Sequence, residues 1–397
     1  MIDKNITVKG FLAGGLHCGI KEEGRDDLAL IFSTVKAQAA GVFTTNAFKA
    51  PPVELDEEKI KGGLAQAIIT NSGNANAATG KEGLKNAKKM SQLVSHGLKI
   101  PDELVLVAST GVIGKQLPME KIVPGIATLI PKCNEEGILA AQRAIMTTDK
   151  FPKVAFRQAS IGGSEVRLCT IAKGAGMIQP NMATLLSYTL TDVNIAGATL
   201  NKIFRGAIAK TLNCITVDGC MSTNDTALVL ANGCAGNKQI NKTTTRESQI
   251  FQSLLEESLR EIAEMIVSDG EGATKVIEIV ITEAPTKLLA KRIAYAIGNS
   301  SLVKTAFYGC DPNMGRIIGA IGAVSQIAPD KVTVTLDGLC VFTAGTIAKT
   351  DISRWEAIMR QKRITVSVSL ASGKESCRIL ASDLSHEYVD INAHYLT

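Results

Sequence analysis

Aromatic residues and histidines are scarce in this sequence. Phe, Trp and Tyr together make up 4% of the 397 residues, and there are four histidines. No block of Lys and Arg interleaves with aromatic residues, and the net charge is only +5, so nothing indicates a nucleic-acid partner. No two histidines have His-x-x-x-His spacing. A histidine-based metal site and a Ser-His triad are therefore disfavoured, and a nucleophile in this chain needs a base other than histidine.

Paired cysteines are missing as well. The nine cysteines are an odd number, lie scattered along the chain and include no Cys-x-x-Cys pair. That pattern fits neither a disulfide scaffold nor a zinc site. We expect reduced and mostly buried thiols in a cytoplasmic protein that uses no metal and no cofactor.

Several signatures of other protein classes are absent. No apolar run has the length of a membrane span, and the first residues, MIDKNITVKGF, do not resemble a signal peptide. The sequence has no Gly-x-Gly-x-x-Gly, no Gly-x-x-x-x-Gly-Lys-Ser/Thr and no Gly-x-Ser-x-Gly motif. We therefore expect no membrane partner, and nucleotide binding and serine-hydrolase chemistry are disfavoured.

The sequence does contain enough apolar material for a large core, with 45% hydrophobic and 20% charged residues. Apolar residues recur at helical spacing over 200–212 and 250–266. Thr244 and Glu247 have capping-box spacing before the second helix, which we expect to end at Asp269-Gly270. Strand patterns cover 64–70, 104–108, 184–190 and 276–281.

Two hairpins are predicted late in the chain, where strand patterns flank short turn sequences. They are 332–336 and 339–342 around Asp337-Gly338, and 364–370 and 376–380 around Ser372-Gly373. Together with the helices, this mixture predicts an α/β or α+β protein with substantial antiparallel sheet covered by helices.

Five loops rich in Gly, Ser, Thr and Asn follow or separate these elements. They are NSGNANAATG (71–80), STGVIG (109–114), VDGCMSTNDT (217–226), SDGEG (268–272) and YGCDPNMG (308–315). A single loop of this kind is most often a plain turn. Five of them offer many backbone N–H groups and short hydroxyls, which suit a small polar ligand or a developing oxyanion.

The stretch KGAGMIQPNMATLL (173–186) places the small Ala183-Thr184 bond between a glycine-rich loop and a predicted strand. A threonine at a new N-terminus carries its own base, because a free α-amine has a pKa of about 7.7–8.0. The Thr184 hydroxyl can attack the Ala183 carbonyl and release that amine. From the chemistry alone, a threonine that simply enters a strand is the more common case.

This stretch closely resembles the self-cleavage segment of the ornithine acetyltransferase (glutamate N-acetyltransferase) family of arginine biosynthesis. Further blocks resemble that family in the same order, so the resemblance covers essentially the whole chain. They are GIKEEGRDDLALIFS (19–33), AGVFTTNAFKAPPV (40–53), NSGNANAATG, STGVIGKQLPM (109–119), TVDGCMSTNDT (216–226), VKTAFYGCDPNMGRI (303–317) and INAHYLT (391–397).

The resemblance implies that the chain cleaves itself between Ala183 and Thr184. The products would be an N-terminal chain, 1–183, and a C-terminal chain, 184–397, that begins with the nucleophile. Two copies of each would form a heterotetramer. The implied fold is a layered α/β fold. It is similar to that of N-terminal-nucleophile hydrolases in using a nucleophile released at a new N-terminus, but its topology is distinct.

The resemblance also implies a ping-pong reaction. Thr184 takes the acetyl group of N-acetylornithine as an ester and passes it to glutamate. Thr110 and Gly111 match the groups that stabilise the oxyanion. The matched substrate contacts are Thr147, Lys173, Thr184, Glu271, Asn392 and Thr397.

Three alternatives remain open on the sequence. A bifunctional enzyme would also take acetyl from acetyl-CoA. A self-processed threonine aminopeptidase or amidase would pass the acyl group to water instead of glutamate. A binding protein without activity would keep its chain uncleaved.

Overall fold

The computed structural model describes residues 6–179, 185–349 and 351–394 of the chain. Strands and helices follow one another in mixed order within these ranges. The strands are β1 (Phe11–Leu16), β2 (Leu28–Phe43), β3 (Leu64–Asn74), β4 (Val105–Val112), β5 (Lys153–Ile161), β6 (Ser164–Lys173), β7 (Leu186–Thr191), β8 (Ile215–Thr216), β9 (Thr226–Ala231), β10 (Val276–Ala284), β11 (Thr333–Leu336), β12 (Leu339–Thr343), β13 (Thr346–Ile347), β14 (Arg363–Ser369) and β15 (Glu375–Ser382). The helices are α1 (Pro51–Lys59), α2 (Gly80–Leu98), α3 (Met119–Leu129), α4 (Ile138–Ile145), α5 (Gly197–Lys210), α6 (Arg246–Ser268), α7 (Lys287–Gly298), α8 (Ser301–Tyr308), α9 (Met314–Gly322), α10 (Ile352–Met359) and α11 (His386–His394).

The strands form two sheets. The first has eight strands in the order β4-β3-β2-β9-β7-β6-β5, with β1 paired to β2 outside that path. The second has seven strands in the order β13-β12-β11-β14-β10-β15-β8. Parallel pairs, such as β3 with β4 and β7 with β9, interrupt a mostly antiparallel arrangement. The predicted α/β class, with layered sheets that contain substantial antiparallel pairing and are covered by helices, is therefore confirmed.

Both faces of the first sheet are covered at its centre. Every residue of β7 and β9 is buried. Along β9, Ala227 and Val229 pack into the core that includes α5 and α6, whereas Leu228 and Leu230 pack into the core that includes α4. Side chains alternate between faces along a strand. The continuous apolar run of β9 therefore fits a strand that is covered on both sides.

Helix α6 contacts both sheets, since it lies against β5 and β6 of the first and β15 of the second. It begins after Thr245, whose hydroxyl oxygen accepts a hydrogen bond from the Ser248 N–H at 3.2 Å. The predicted cap at Thr244 is therefore one residue early, because the hydroxyl that reaches the first turn belongs to Thr245. The predicted end of the helix at Asp269 is confirmed.

One of the two predicted hairpins is wrong. The turn at Asp337-Gly338 does join β11 to β12. Strands β14 and β15 both exist, but β10 lies between them, parallel to β14 and antiparallel to β15. Their connection crosses the end of β10, where Leu370 N donates to the Thr282 carbonyl at 3.1 Å and Ser372 N to the Glu283 carbonyl at 2.9 Å. A local turn pattern does not reveal a strand inserted from much earlier in the chain.

All nine cysteines lie in the described part of the chain and none of them forms a disulfide, but the expectation that most are buried is wrong. Only Cys169 is buried, Cys220 is exposed, and the others are partly exposed. Most of them lie in loops or short 3-10 turns, which run along the protein surface. In the part of the chain that is described, no helix is both long enough and apolar enough to cross a membrane.

Candidate functional site

A cleft of about 180 Å³ lies where the ends of several strands meet. Sites for drug-sized ligands typically measure about 300–1,000 Å³, so this cleft suits a ligand about the size of an amino acid. The residues that line it are Ala75, Thr110, Gly111, Ile113, Thr147, Thr148, Lys173, Gly176, Met177, Leu185, Leu186, Asp218, Cys220, Ser222, Asn224, Asp225, Glu271, Tyr388 and Asn392.

Four of the five polar loops meet at this cleft, as their composition suggested. Asn224 holds three of them together, because its side-chain amide donates to the Ala75 carbonyl at 2.6 Å and to the Ser109 carbonyl at 2.9 Å. The loop 268–272 contributes Glu271. No residue of the fifth loop, 308–315, is among those that line the cleft. That loop packs elsewhere, where the Lys275 ammonium lies 3.5 Å from the Cys310 sulfur.

Strand β4 delivers Thr110 and Gly111 to the cleft. Gly111 has a φ of +133°, and a Cβ atom built on it would lie 2.3 Å from the backbone carbon of Gly73 in the neighbouring strand. No side chain fits there, so glycine is required. The Thr110 hydroxyl oxygen accepts a hydrogen bond from the Lys173 ammonium at 3.1 Å. Its own proton remains available to donate into the cleft.

Lys173, at the end of β6, supplies positive charge. Burial of the ammonium group lowers the pKa of Lys173 below its usual 10.5, although the nearby carboxylates, Asp149 first among them, oppose that shift. A cation in this position favours a ligand that carries a carboxylate or develops negative charge.

Glu271 supplies negative charge on the same cleft and is only 8% exposed. Its Oε2 accepts a hydrogen bond from the Asn392 side-chain amide at 2.9 Å, and its backbone N–H donates to the Ala175 carbonyl at 2.9 Å. A Cβ on Gly176 would lie 2.4 Å from the Glu271 carboxylate. Glycine at 176 therefore permits the close approach of the loop to this acid.

Helix α11 docks the C-terminal region onto the site. The Ser385 hydroxyl, just before the helix, donates to the Gly272 carbonyl at 2.6 Å. A side chain at Gly272, whose φ is +66°, would meet the Tyr388 backbone nitrogen at 2.5 Å. Tyr388 and Asn392 of this helix line the cleft, so the docking that the placement of Asn392 requires is present.

Thr147 lines the cleft and is bonded to a buried ion cluster. Its N–H donates to Asp149 at 2.9 Å. The fully buried Lys153 ammonium contacts Asp149 at 2.7 Å and Asp269 at 2.5 Å. Burial acts to raise the pKa of Asp149, but Lys153, Lys173 and the Gly174 N–H lower it to about 2. This cluster fixes Thr147 and the start of the 174–179 loop to one framework.

Asp225 is a buried acid at the cleft. It is 2% exposed, and its Oδ2 atom has no hydrogen-bond partner among the residues that are described. Burial raises the pKa of Asp225 well above its usual range, while the Ser222 hydroxyl and Lys173 oppose the shift. At neutral pH, the Asp225 carboxyl group therefore holds its proton more firmly than the carboxyl group of an exposed aspartate does.

The residues predicted to react lie outside the described part of the chain. These are Ala183 and Thr184, together with the predicted substrate contact Thr397. The nearest described residues are Gln179 before this pair and Leu185 after it, and Leu185 lines the cleft. Of the other predicted site residues, the structure brings Thr110, Gly111, Thr147, Lys173, Glu271 and Asn392 together at one cleft.

Sequence reasoning missed Asp218, Asp225 and the ion cluster around Lys153. Asp218 and Asp225 stand in the loop 217–226, whose polar composition marked it without singling them out. Asp149 lies two residues after Thr147. An isolated acid in a sequence carries no sign of whether it will be buried, so only the packing identifies these groups.

The arrangement combines a cation, an anion and a hydroxyl donor within a small cleft. Lys173 and Glu271 suit a ligand with both a carboxylate and an ammonium group. Thr110 can donate to an oxygen on which negative charge develops. No group of three or more His, Cys, Asp or Glu side chains placed to hold a metal ion lies within 6–179, 185–349 and 351–394.

Comparison with known proteins gives matches along nearly the whole chain. Residues 12–397 match the model of the ArgJ family. The arginine biosynthesis bifunctional protein ArgJ of Geobacter sulfurreducens is 44% identical over 99% of this chain and 100% of that protein. The protein of that name from Caldanaerobacter subterraneus subsp. tengcongensis is 45% identical over 98% of this chain and 97% of that protein. An ornithine acetyltransferase crystal structure from Mycobacterium tuberculosis, complexed with ornithine, is 34% identical over 45% of this chain and 93% of that chain, with a TM-score of 0.39.

Proposed function

The chain belongs to the ArgJ family, and we propose on that premise that it transfers acetyl from N-acetylornithine to glutamate in arginine biosynthesis. It is an acyltransferase, as the family implies. One observation carries the assignment to this cleft. Thr110, Lys173, Glu271 and Asn392, which are far apart in sequence, line the same cleft as Leu185, the residue bonded to Thr184.

The nucleophile is made by self-cleavage. The Thr184 hydroxyl oxygen bonds to the Ala183 carbonyl carbon, the carbon–nitrogen bond between the two residues breaks, and the hydroxyl proton ends on the released amine. Water then hydrolyses the ester, which returns the hydroxyl to Thr184 and leaves a carboxylate on Ala183. Cleavage gives the chains 1–183 and 184–397, and the free amine of the second becomes the base that activates its own hydroxyl.

The order of strands supports lasting association of the two chains. Strands β7 and β9 come from 184–397, yet they lie between β2 and β6, which come from 1–183. Separation would break backbone hydrogen bonds on both sides of a buried pair. We propose that the chains stay together and assemble as a heterotetramer with two copies of each.

Transfer proceeds in two halves. The Thr184 hydroxyl attacks the acetyl carbonyl, ornithine leaves with the proton, and an acetyl ester remains. The glutamate amine then attacks the ester, N-acetylglutamate leaves, and the hydroxyl is restored. Each tetrahedral intermediate carries an oxyanion, which the Thr110 hydroxyl and the Gly111 N–H stabilise. One such donor typically contributes about 3–4 kcal/mol to lowering the barrier.

The charges of the cleft support the choice of substrates. Lys173 pairs with the carboxylate that N-acetylornithine and glutamate share, and Glu271 pairs with an ammonium group. Thr147 and Asn392, which line the cleft, add further contacts, and Thr397 is proposed to add another. Because an amide is exchanged for an amide through an ester, the reaction requires no cofactor.

The name of the curated relatives supports a second activity. Both are bifunctional proteins, so we propose that acetyl-CoA can also acylate Thr184 and thus acetylate glutamate. Incubation with acetyl-CoA and glutamate, without N-acetylornithine, tests this second activity. Any N-acetylglutamate that forms must then have received its acetyl group from acetyl-CoA. We also propose a cytoplasmic location, where cysteines that form no disulfide would remain reduced.

The intact mass of freshly purified, denatured protein is the decisive first test. We expect the wild type to give two chains that divide between Ala183 and Thr184. The Thr184→Ala variant should give a single uncleaved chain of 42.0 kDa. A Thr184→Ala variant that still cleaves would remove Thr184 as the nucleophile of self-processing.

Transfer is then measured with N-acetylornithine in the presence and absence of glutamate. Loss of N-acetylornithine should depend on glutamate and give equal amounts of ornithine and N-acetylglutamate. Equal loss without glutamate, with release of acetate, would instead identify an amidase that passes the acyl group to water.

A further inference from the structure

The carboxylate of Asp218 binds the chain shortly before the Ala183-Thr184 bond. Its Oδ2 accepts a hydrogen bond from Met177 N at 2.6 Å, and its Oδ1 accepts one from Ile178 N at 2.9 Å. Oδ1 also accepts from Cys220 N at 3.0 Å, which fixes the carboxylate on its own loop. Both oxygens are occupied by backbone N–H groups, and the orientation of the carboxylate is therefore set.

Two backbone hydrogen bonds continue this attachment as far as Gln179. Val217 N donates to the Ile178 carbonyl at 2.7 Å, and Gln179 N donates to the Cys220 carbonyl at 2.9 Å. The Gln179 side-chain oxygen also accepts from the Asn299 amide at 2.5 Å. The segment 177–179 is thus fixed by its backbone to the loop 217–220 and by the Gln179 side chain to Asn299 at the end of α7.

Met177 shows that this attachment enforces an unfavourable conformation. Its φ is +57°, a left-handed backbone conformation that residues with a side chain rarely adopt. Such conformations persist where surrounding contacts enforce them. The bond from Met177 N to Asp218, at 2.6 Å, is such a contact.

The chain is fixed again directly after the cleavage bond. The Leu185 carbonyl accepts from Thr226 N at 2.9 Å, and β7 then continues in parallel register with β9, Leu186 opposite Thr226. Gln179 and Leu185 are therefore two fixed points on either side of residues 180–184. Holding reacting groups at fixed positions lowers the entropic barrier of an intramolecular attack.

We propose that Asp218 is a positioning residue for self-cleavage. Through the backbone of Met177 and Ile178 it holds one of the two fixed points that flank residues 180–184. The inference rests on the self-cleavage proposed above and adds to it a residue outside the reacting pair. Asp218 moves no proton in this role, and it acts only through the backbone at 177–178.

The test is a time course of cleavage in chains made by pulsed cell-free translation, followed by intact mass. Asp218→Asn keeps the size of the side chain, but its amide nitrogen cannot accept from a backbone N–H. We expect its cleavage rate to fall by about ten- to a hundredfold, equivalent to about 1.4–2.7 kcal/mol in the barrier. If Asp218→Asn shows no cooperative melting, Asp218→Glu takes its place under the same criterion.

Asp383→Asn is the matched control. Asp383 also accepts hydrogen bonds from two successive backbone N–H groups, but these belong to Thr274, at 2.8 Å, and Lys275, at 3.0 Å, and not to 177–179. The Tm of each variant is measured in a Thr184→Ala chain, which stays whole. Asp383→Asn should lower the Tm at least as much as Asp218→Asn while its cleavage rate stays within threefold of wild type.

The outcomes separate this inference from the proposed function. If the wild-type chain stays whole, the proposal of self-cleavage is wrong. A wild type that cleaves, with an Asp218→Asn rate within threefold of it, overturns the role of Asp218 alone. Cleavage that slows equally in both variants, in proportion to the loss of Tm, also overturns it, because the effect would then be one of stability.

Discussion

The Lys173 ammonium donates a hydrogen bond to the Thr110 hydroxyl oxygen, 3.1 Å away. The strands that carry the two residues, β6 and β4, are separated in the first sheet by β3, β2, β9 and β7. The contact therefore shows that the sheet curves until strands near its two edges meet at the cleft. An ammonium group can only donate, so the bond polarises the Thr110 hydroxyl and leaves its proton free for a ligand.

Replacing Thr110 by Val should remove this donor while keeping the shape of the side chain. We expect kcat for transfer to fall by about 10²–10³-fold, the usual effect of losing one oxyanion donor, with little change in KM. Thr110→Ser keeps a hydroxyl and should retain most of the rate. Steady-state kinetics with N-acetylornithine and glutamate measure both. A Val variant with wild-type kcat would exclude Thr110 from oxyanion stabilisation.

Lys173 should make substrate binding sensitive to alkaline pH. Burial lowers its pKa below 10.5, so the ammonium loses its proton earlier than an exposed lysine does. We expect KM to rise as pH increases through that pKa, because a neutral amine no longer pairs with the substrate carboxylate. In Lys173→Met, KM should be high at every pH and show no such rise. If KM of the Lys173→Met variant still rises at alkaline pH as it does in the wild type, another group causes the rise.

Glu271→Gln should separate substrate binding from self-cleavage. Glutamine keeps an oxygen for the Asn392 amide but loses the charge. We expect KM for N-acetylornithine, whose side chain ends in an ammonium group, to rise by about tenfold or more. Hydrogen bonds to charged groups contribute about 1.5–3 kcal/mol. Cleavage into two chains should be unaffected. Intact mass and steady-state KM are measured on the same preparation.

Glu387 offers the matched control for this variant. It lies on α11 near the same region, is about half exposed and pairs with Lys150 at 2.9 Å, but it does not line the cleft. Surface ion pairs of this kind contribute about 0–1 kcal/mol. Glu387→Gln should therefore keep KM within about threefold. Equal KM changes in the two variants would show that the Glu271 effect is not a direct substrate contact.

The sequence predicts elements better than it predicts how they pair. The apolar runs 64–70 and 104–108 do form β3 and β4, and the helical spacing over 250–266 does form α6. The hairpin around Ser372-Gly373 fails because β10, whose sequence lies far upstream, pairs with both of its strands. A local pattern records which residues must be buried, whereas pairing depends on contacts between distant segments.

The same difference applies to the site. Thr110, Lys173, Glu271 and Asn392 could be identified from the resemblance to a family, and the fold brings them together. Asp218 and Asp225 belong to a loop that the sequence marks only as polar. Their roles depend on burial and on which backbone N–H groups face them, and neither quantity has a local signature in the chain.

Asp225→Asn should change how stability depends on pH. Burial raises the pKa of Asp225 well above 3.8, so the folded chain binds a proton that the unfolded chain has released. Stability therefore falls as pH rises from about 4 toward the folded pKa. Asparagine does not titrate, and the variant should lose less stability than its parent over that range. Urea unfolding of the Thr184→Ala chain with and without Asp225→Asn, from pH 5 to 8, measures the difference. Parallel curves would mean that Asp225 ionises normally.

Asp149→Asn should have the opposite pH dependence. Lys153, Lys173 and the Gly174 N–H outweigh burial and lower the pKa of Asp149 from 3.8 to about 2. An acid whose pKa is lowered on folding stabilises the protein above its unfolded pKa and loses that effect as pH falls through the folded one. The shift corresponds to about 2 kcal/mol, at 1.36 kcal/mol per unit.

We therefore expect Asp149→Asn to be less stable than its parent by at least about 2 kcal/mol at pH 7, because it also leaves the buried Lys153 with one carboxylate fewer. The difference should shrink between about pH 4 and pH 2, where the parent takes up its proton. Asp269 is the control, since its pKa is raised by burial despite Lys153. Loss of its charge should therefore give a stability difference that does not shrink in that acidic range. Urea unfolding of the uncleaved Thr184→Ala chain gives both values, and a constant difference for Asp149→Asn from pH 7 to 2 would contradict the lowered pKa.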